Sequence, residues 1–188
     1  LYEVLRWWPK DFTQRASDGK GGWREGVGCM RGVRMVPWRL PELLADDKKL
    51  LVWCEGEKDA NTARDALYLP ATTNAGGAGK IQDEVVRIIA ERQRGVAIIP
   101  HNDFPDKFGH RAGLVGADKT AGKLHAAGVR VRVLAPLGDG SRDGYDLYDW
   151  VLDGGTREQL LEMIKATPLW IPPNVAPLDL PEMRPGGP

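Results

Sequence analysis

Cysteine is scarce in this chain. Only Cys29 and Cys54 occur among 188 residues, with no Cys-x-x-Cys spacing. That excludes a disulfide framework and a thiolate zinc site, and Cys54 reads as a buried strand residue. Histidine is almost as rare, with three copies and no His-x-x-x-His pair, so His110 and His125 are expected to be surface or packing residues. Net charge is missing too, with 26 basic against 26 acidic residues. No global field draws such a chain to nucleic acid, and any affinity of that kind has to come from a local patch. No apolar run approaches the roughly 20 residues that span a bilayer, and no signal peptide is visible. A cytoplasmic location with no membrane partner is the expectation. Internal repeats are absent as well.

What is present describes a globular protein. Hydrophobic residues make up 42% of the chain and charged residues 28%, and the length suffices for one well-buried domain with appendages. The chain begins with Leu1, inside an expected strand, and is read as a piece of a longer protein.

The first forty residues are rich in Trp, Gly and Arg and show little helical period. Residues 2–7 and 12–15 read as short strands, Ser17-Asp18-Gly19-Lys20-Gly21-Gly22 as a turn, and residues 23–36 as further short strands. Eight basic residues face five acidic ones up to Glu42. Arg15, Arg24 and Arg34, interleaved with Trp7, Trp8, Phe12, Trp23 and Trp38, form a candidate single-strand surface of stacking rings and phosphate-binding cations. The plainer alternative makes the tryptophans the core of a small sheet and leaves the arginines solvated.

After a short helix over 41–47, strands alternate with helices. Strands are expected at 50–54, 71–73, 96–99 and 129–134, and helices at 57–68, 82–92, 111–127, 147–152 and 157–166. Thr156 should cap the last of these in a Thr-Arg-Glu-Gln capping box. Val85, Val86, Ile88 and Ile89 mark the inner side of the helix at 82–92. The fold class is therefore α/β: a three-layer domain with a central, mostly parallel sheet of about four strands, preceded by a small β-rich basic segment. We divide the chain into a basic segment at 1–45, an α/β domain at 46–167, and a tail or linker at 168–188 that carries seven prolines.

The strand at 50–54 is the organising element. It is apolar throughout and ends abruptly in Glu55-Gly56, at the rim where open α/β sheets bind ligands. Two later rim segments are also acidic, His101-Asn102-Asp103 and Asp146-Leu147-Tyr148-Asp149. Clustered carboxylates repel one another unless a cation joins them, and hard divalent ions prefer oxygen ligands. Such a rim suits metal-assisted phosphoryl or nucleotidyl chemistry. Singly, each residue has a simpler use: Glu57 and Asp59 favour a helix N-terminus, and Asp149 fits a surface position.

These motifs resemble the TOPRIM domains of bacterial, phage and plasmid primases. A hydrophobic strand ending Glu-Gly-x-x-Asp is matched by Glu55, Gly56 and Asp59, an Asp-x-Asp strand end by His101-Asn102-Asp103, and a late Asp-x-x-Asp-Trp by Asp146, Asp149 and Trp150. The resemblance extends to Pro37-Trp38-Arg39-Leu40-Pro41, to the loop Asn74 to Lys80 and to Gly154-Gly155-Thr156, and so covers nearly the whole chain. It implies a phage- or plasmid-type primase or primase-helicase that joins nucleoside triphosphates into primers on single-stranded DNA, with a replicative helicase in cis or in trans. By the same resemblance Glu55 is the general acid or base, or a metal ligand. Asp103, Asp146 and Asp149 would hold Mg2+ or Mn2+, and Asp59 would support Glu55. Lys58 and Lys80 are added from their positions as phosphate contacts.

His101 departs from the pattern, standing where the family has its first Asp. Neutral imidazole is a poor magnesium ligand but suits manganese or zinc. The loop after it is long, with Gly109 arriving late, and Asp106 is a candidate replacement ligand. Manganese is expected to bind more tightly than magnesium. Otherwise the chain is a catalytically silent TOPRIM module that binds nucleic acid or docks a helicase; a TOPRIM-type nuclease is a third possibility. The loop ending in Gly79-Lys80 misses the P-loop pattern at Asn74 and Ile81, which argues against ATPase activity.

Overall fold

A run of apolar residues with no polar alternation is stable only when layers cover both of its sides. The computed structural model, which describes residues 2–9, 11–46, 49–74, 77, 79–92 and 95–173, shows this for β4 (Leu50–Trp53). Leu51 and Trp53 point into one core, with Val96, Ile98 and Val131. Val52 and Cys54 point into the other, with Ala97, Ile99 and Leu134. The two-residue period of a strand thus divides a single apolar run between two cores.

β4 belongs to a four-stranded, wholly parallel sheet with β5 (Ala71–Thr72), β6 (Gly95–Ile98) and β7 (Val131–Val133), in the order β5-β4-β6-β7. Helices α1 (Leu40–Ala45), α3 (Asp83–Glu91) and α4 (Ala112–Ala126) supply Leu43, Val85, Ile89, Ala117 and Leu124 to the first core. Helices α2 (Glu57–Asp65), α5 (Leu147–Leu152) and α6 (Arg157–Ala166) supply Ala60, Ala63, Leu147, Leu160 and Ile164 to the second. This is the expected three-layer, TOPRIM-like α/β architecture. All four residues expected on the inner side of α3 are buried, and Thr156 and Gln159 close the expected capping box on α6.

The topology decides where a ligand can sit. From β4 the chain passes through α2 to β5 on one side, then returns through α3 to β6 on the other. Helix α2, which follows β4, and helix α4, which follows β6, lie on opposite faces. Between the carboxyl ends of β4 and β6 the strand order reverses, and a crevice opens there.

Ahead of this domain, β1 (Tyr2–Trp7), β2 (Asp11–Ser17) and β3 (Trp23–Arg24) form an antiparallel sheet. The turn read at 17–22 is present, with the Asp18 carboxylate accepting from the amides of Lys20 at 2.7 Å and Gly22 at 2.9 Å. Further strands expected up to residue 36 do not form beyond Arg24. Gly26, Gly28 and Gly32 all take positive φ and fold that stretch into turns, with the buried Cys29 thiol donating to the Gln14 carbonyl. The tryptophans are not this sheet's core: Trp8 is 93% exposed, and Trp7 and Phe12 are more than half exposed.

Several boundaries differ from expectation for local reasons. α2 stops at Asp65 rather than Tyr68, because Tyr68 takes a left-handed φ of 52° that no helix continues through. β7 is shorter than expected, and the segment after α6 runs beside it: the Trp170 amide donates to the Val131 carbonyl and Arg132 to the Thr167 carbonyl. The Trp170 indole also donates to Asp118 and meets the edge of His125, so the start of the proline-rich stretch is packed. The tail from residue 174 lies outside the described residues, as do Ala75, Gly76 and Ala78 of the glycine loop. No described helix is long and apolar enough to cross a membrane.

Candidate metal and nucleotide site

Glu55 emerges from β4 one residue before Gly56, the N-cap of α2. Its Oε1 accepts from the His101 amide at 3.1 Å, tying the end of β4 to the end of β6. One helical turn on, Asp59 projects from α2 into the same crevice and is 2% exposed. Its Oδ2 lies 2.8 Å from His101 Nε2, and its Oδ1 accepts from the Tyr148 amide at 3.1 Å. The imidazole Nδ1 lies 3.7 Å from Glu55 Oε2. Asp146, the N-cap of α5, uses Oδ1 to accept from the Asp149 amide, and Asp149 completes the capping box in return. Asp146 Oδ2 is left to Lys58, whose Nζ is 2.5 Å away.

Three rim segments distant in sequence therefore meet. Ligand atoms of Asp59, His101 and Asp146 lie within 4.8 Å of one another. Asp103 is nearby but engaged elsewhere, its Oδ2 accepting from the Gly113 amide in the first turn of α4 at 2.6 Å. Its charge reaches Glu55, contributing to the rise in that carboxyl's pKa. Asp106, the candidate replacement ligand, caps its own loop by accepting from the amides of Phe108 and His110. Among the described residues it joins no metal-binding group.

The remaining candidates lie apart from this cluster. Lys80 is exposed after the glycine loop, with its carbonyl accepting from the Asn74 side chain. Arg15 pairs with Glu3 at 2.8 Å and stacks over Trp23, Arg24 donates to the Arg31 carbonyl, and Arg34 pairs with Glu84 at 2.6 Å.

Electrostatics follow from this packing. Burial pushes the Glu55 carboxyl above its usual range, and the neighbouring Asp103 and Asp59 charges add to the rise. His101 feels the opposite balance. Burial alone lowers it, but the hydrogen bond to Asp59 and the charges of Glu55, Asp59 and Asp146 more than offset this and hold the imidazole above its usual range. For Asp146, burial works against ionisation, yet Lys58 and the Asp149 amide keep the carboxyl below its usual range. Burial pushes the Cys54 thiol well up, which disfavours the thiolate form.

A stability prediction follows for the metal-free protein. A group whose folded pKa is raised contributes fully below its unfolded value, about 6.5 for imidazole, and loses that contribution as pH rises through the folded value. The melting temperature of the native chain, minus that of His101→Asn, should be most positive below about pH 6 and shrink toward pH 9. A difference that grows with pH would contradict the pairing.

Three residues essential to the geometry carried no strong signal in the sequence. Asn102 is buried and fastens two rim loops: its amide and carbonyl bond to Tyr145 and Gly144, its side chain donates to Leu137, and it accepts from Arg111. Tyr148 offers its ring to the Lys58 ammonium at 4.5 Å. Gly113 joins Gly109 as a position after β6 that favours glycine. A Cβ on Gly113 would lie 2.6 Å from the His101 carbonyl oxygen and 2.7 Å from Glu55 Oε1, whereas Gly109 is favoured by its φ of 83° rather than by crowding.

No protein-family model matches this chain, and no curated protein matches its sequence. Solved structures do match its fold. One is the Aquifex aeolicus primase, zinc-binding and RNA polymerase domains, with a TM-score of 0.52 and 19% identity over 65% of this chain and 27% of that one. Another is a DnaG primase catalytic domain bound to single-stranded DNA, with a TM-score of 0.51 and 14% identity over 88% of this chain and 52% of that one. The fold is primase-related. At these identities the likeness is one of architecture, and this chain spans about half or less of these two primase chains. Between the carboxyl ends of β4 and β6, the donor set among the described residues is Asp-His-Asp.

Proposed function

We propose that this chain carries out primase-type nucleotidyl transfer on single-stranded DNA, as part of a phage- or plasmid-type primase or primase-helicase. The observation that carries the reading is the convergence of Glu55, Asp59, His101 and Asp146 at the switch point of a primase-related fold. Two carboxylates and an imidazole within 4.8 Å fit a first-row divalent ion such as Mn2+ better than Mg2+, which prefers oxygen throughout. Such an ion, when bound, neutralises phosphate charge and polarises the phosphorus–oxygen bonds of a nucleotide.

The chain's own residues supply the rest. Burial raises the Glu55 carboxyl above its usual range, which makes its carboxylate a better proton acceptor, and the His101 amide fixes its direction. That suits it to take the proton of an attacking 3′-hydroxyl as the oxygen bonds to the α-phosphorus and diphosphate leaves. Asp59 fixes the imidazole and the start of α5 together, so it positions ligands without touching substrate. Asp103 and Asp149, tied to the first turns of α4 and α5, extend the acidic rim toward a second ion. Trp7, Trp8 and Phe12 offer stacking faces for unpaired bases on the neighbouring sheet, which supports single-stranded DNA as the template. A helicase partner in cis or in trans belongs to the same reading.

A second reading, a catalytically silent module that binds nucleic acid or docks a helicase, is favoured by one observation. His101 and Lys58 already satisfy Asp59 and Asp146 without an ion. Primer synthesis on single-stranded DNA with manganese distinguishes the two. Removing the base should reduce the rate by about 10²–10⁴-fold in Glu55→Gln. Equal product from Glu55→Gln and the native chain would contradict the assignment. Absence of product from both, with DNA binding retained, would favour the silent module.

A further inference from the structure

Lys58 sits where an added ion has to go. Asp146 Oδ1 is spent on the Asp149 amide, so Oδ2 is the oxygen that remains for a ligand, and the Lys58 ammonium holds it at 2.5 Å. A divalent ion bound to that oxygen at about 2.0–2.2 Å would stand within a few ångströms of the ammonium, and the like charges repel. The carboxylates of Asp59 and Asp149 also act on this ammonium, so it neutralises the cluster rather than one partner. Its own side chain is 53% exposed while that of Asp146 is 8% exposed, which makes lysine the movable partner. The Tyr148 ring, 4.5 Å from Nζ, offers it a second seat at the mouth of the crevice.

We infer that Lys58 is a built-in counter-cation, held at Asp146 in the metal-free protein and displaced when a divalent ion binds. It lowers the metal affinity of a site whose ligands would otherwise bind more tightly. This rests on the metal-binding reading above. The device gives the acidic rim a stable resting state, since the carboxylates never face one another uncompensated. It also couples metal entry to the release of an ammonium at the first turn of α2.

Manganese titration followed by the loss of free-ion electron paramagnetic resonance signal tests this on the native chain and three variants. Lys58→Met should bind manganese at least about tenfold more tightly, because a like charge has been removed next to the ion. Lys58→Arg, which keeps the charge, should bind no more tightly than native. Asp146→Asn should lose most of the affinity. Native-like or weaker binding by Lys58→Met, with the native chain binding manganese, would overturn the inference and leave the metal site standing. No binding by the native chain or by Lys58→Met would overturn both. A second measurement needs no variant: reductive methylation of Lys58 in the native chain, mapped by mass spectrometry, should run faster in saturating manganese. An unchanged or slower rate would also overturn the inference.

Discussion

Gly113→Ala should cost this protein several degrees of melting temperature and nearly all of its divalent-ion binding. The added Cβ would stand 2.6 Å from the His101 carbonyl oxygen, 2.9 Å from the His101 nitrogen and 2.7 Å from Glu55 Oε1. Two of these atoms are backbone at the end of β6, where buried neighbours leave little room for retreat. Overpacking of this kind costs about 1–3 kcal/mol, and each kcal/mol is worth roughly 2–4 °C in a chain of this size. The functional loss should exceed the stability loss, because the new methyl wedges apart the Glu55 carboxylate and the His101 amide that it accepts from. Gly56→Ala is the matched control. Gly56 has an extended backbone, and a Cβ there meets nothing within 4 Å, so the melting temperature should stay native. Differential scanning calorimetry of the three proteins checks this, and a Gly113→Ala chain as stable as native would contradict the packing at the crevice.

His101→Asp should invert the metal preference. The native donor set mixes one imidazole with two carboxylates and should favour manganese over magnesium. An all-oxygen set should bind magnesium at least as well as manganese. The same change replaces the hydrogen-bonding imidazole partner of Asp59 with a like charge and leaves Lys58 as the cation facing Asp59 and Asp146. The metal-free variant should therefore melt well below native and recover a larger share of its stability when magnesium is added. Calorimetric titration with each ion reads the preference directly. A manganese-to-magnesium affinity ratio unchanged by the substitution would remove His101 from the ligand set.

The layered fold was legible because its signals are strong and local. Continuous apolar runs at β4 and β6, a four-residue apolar pattern on α3 and a Thr-to-Gln cap on α6 each specify one structure. Convergence of the rim was legible through the order of its acidic motifs along the chain. What escaped was how each carboxylate is spent. Asp103 reads as a ligand, yet the Gly113 amide takes its Oδ2. Asp59 reads either as a helix-start residue or as a support for Glu55, and what neither reading names is that it is 2% exposed and holds both His101 and the start of α5. Those partners lie 42 and 89 residues away, and no local pattern announces a hydrogen bond across such distances. The region around the first sheet was misjudged for a different reason. Apolar residues such as Val27, Val33 and Val36 near glycines resemble strands, but repeated positive φ at Gly26, Gly28 and Gly32 favours turns over pairing.

The central claim is that a divalent ion binds at this crevice through side chains that meet only in the folded chain. Electron spin echo spectroscopy of the manganese-loaded protein tests it most directly, because a coordinated imidazole nitrogen modulates the echo of the bound ion. The account predicts nitrogen modulation in the native chain and its loss in His101→Asp, with manganese still bound. Bound manganese that shows the same nitrogen signal in both proteins, or none in the native chain, would contradict it.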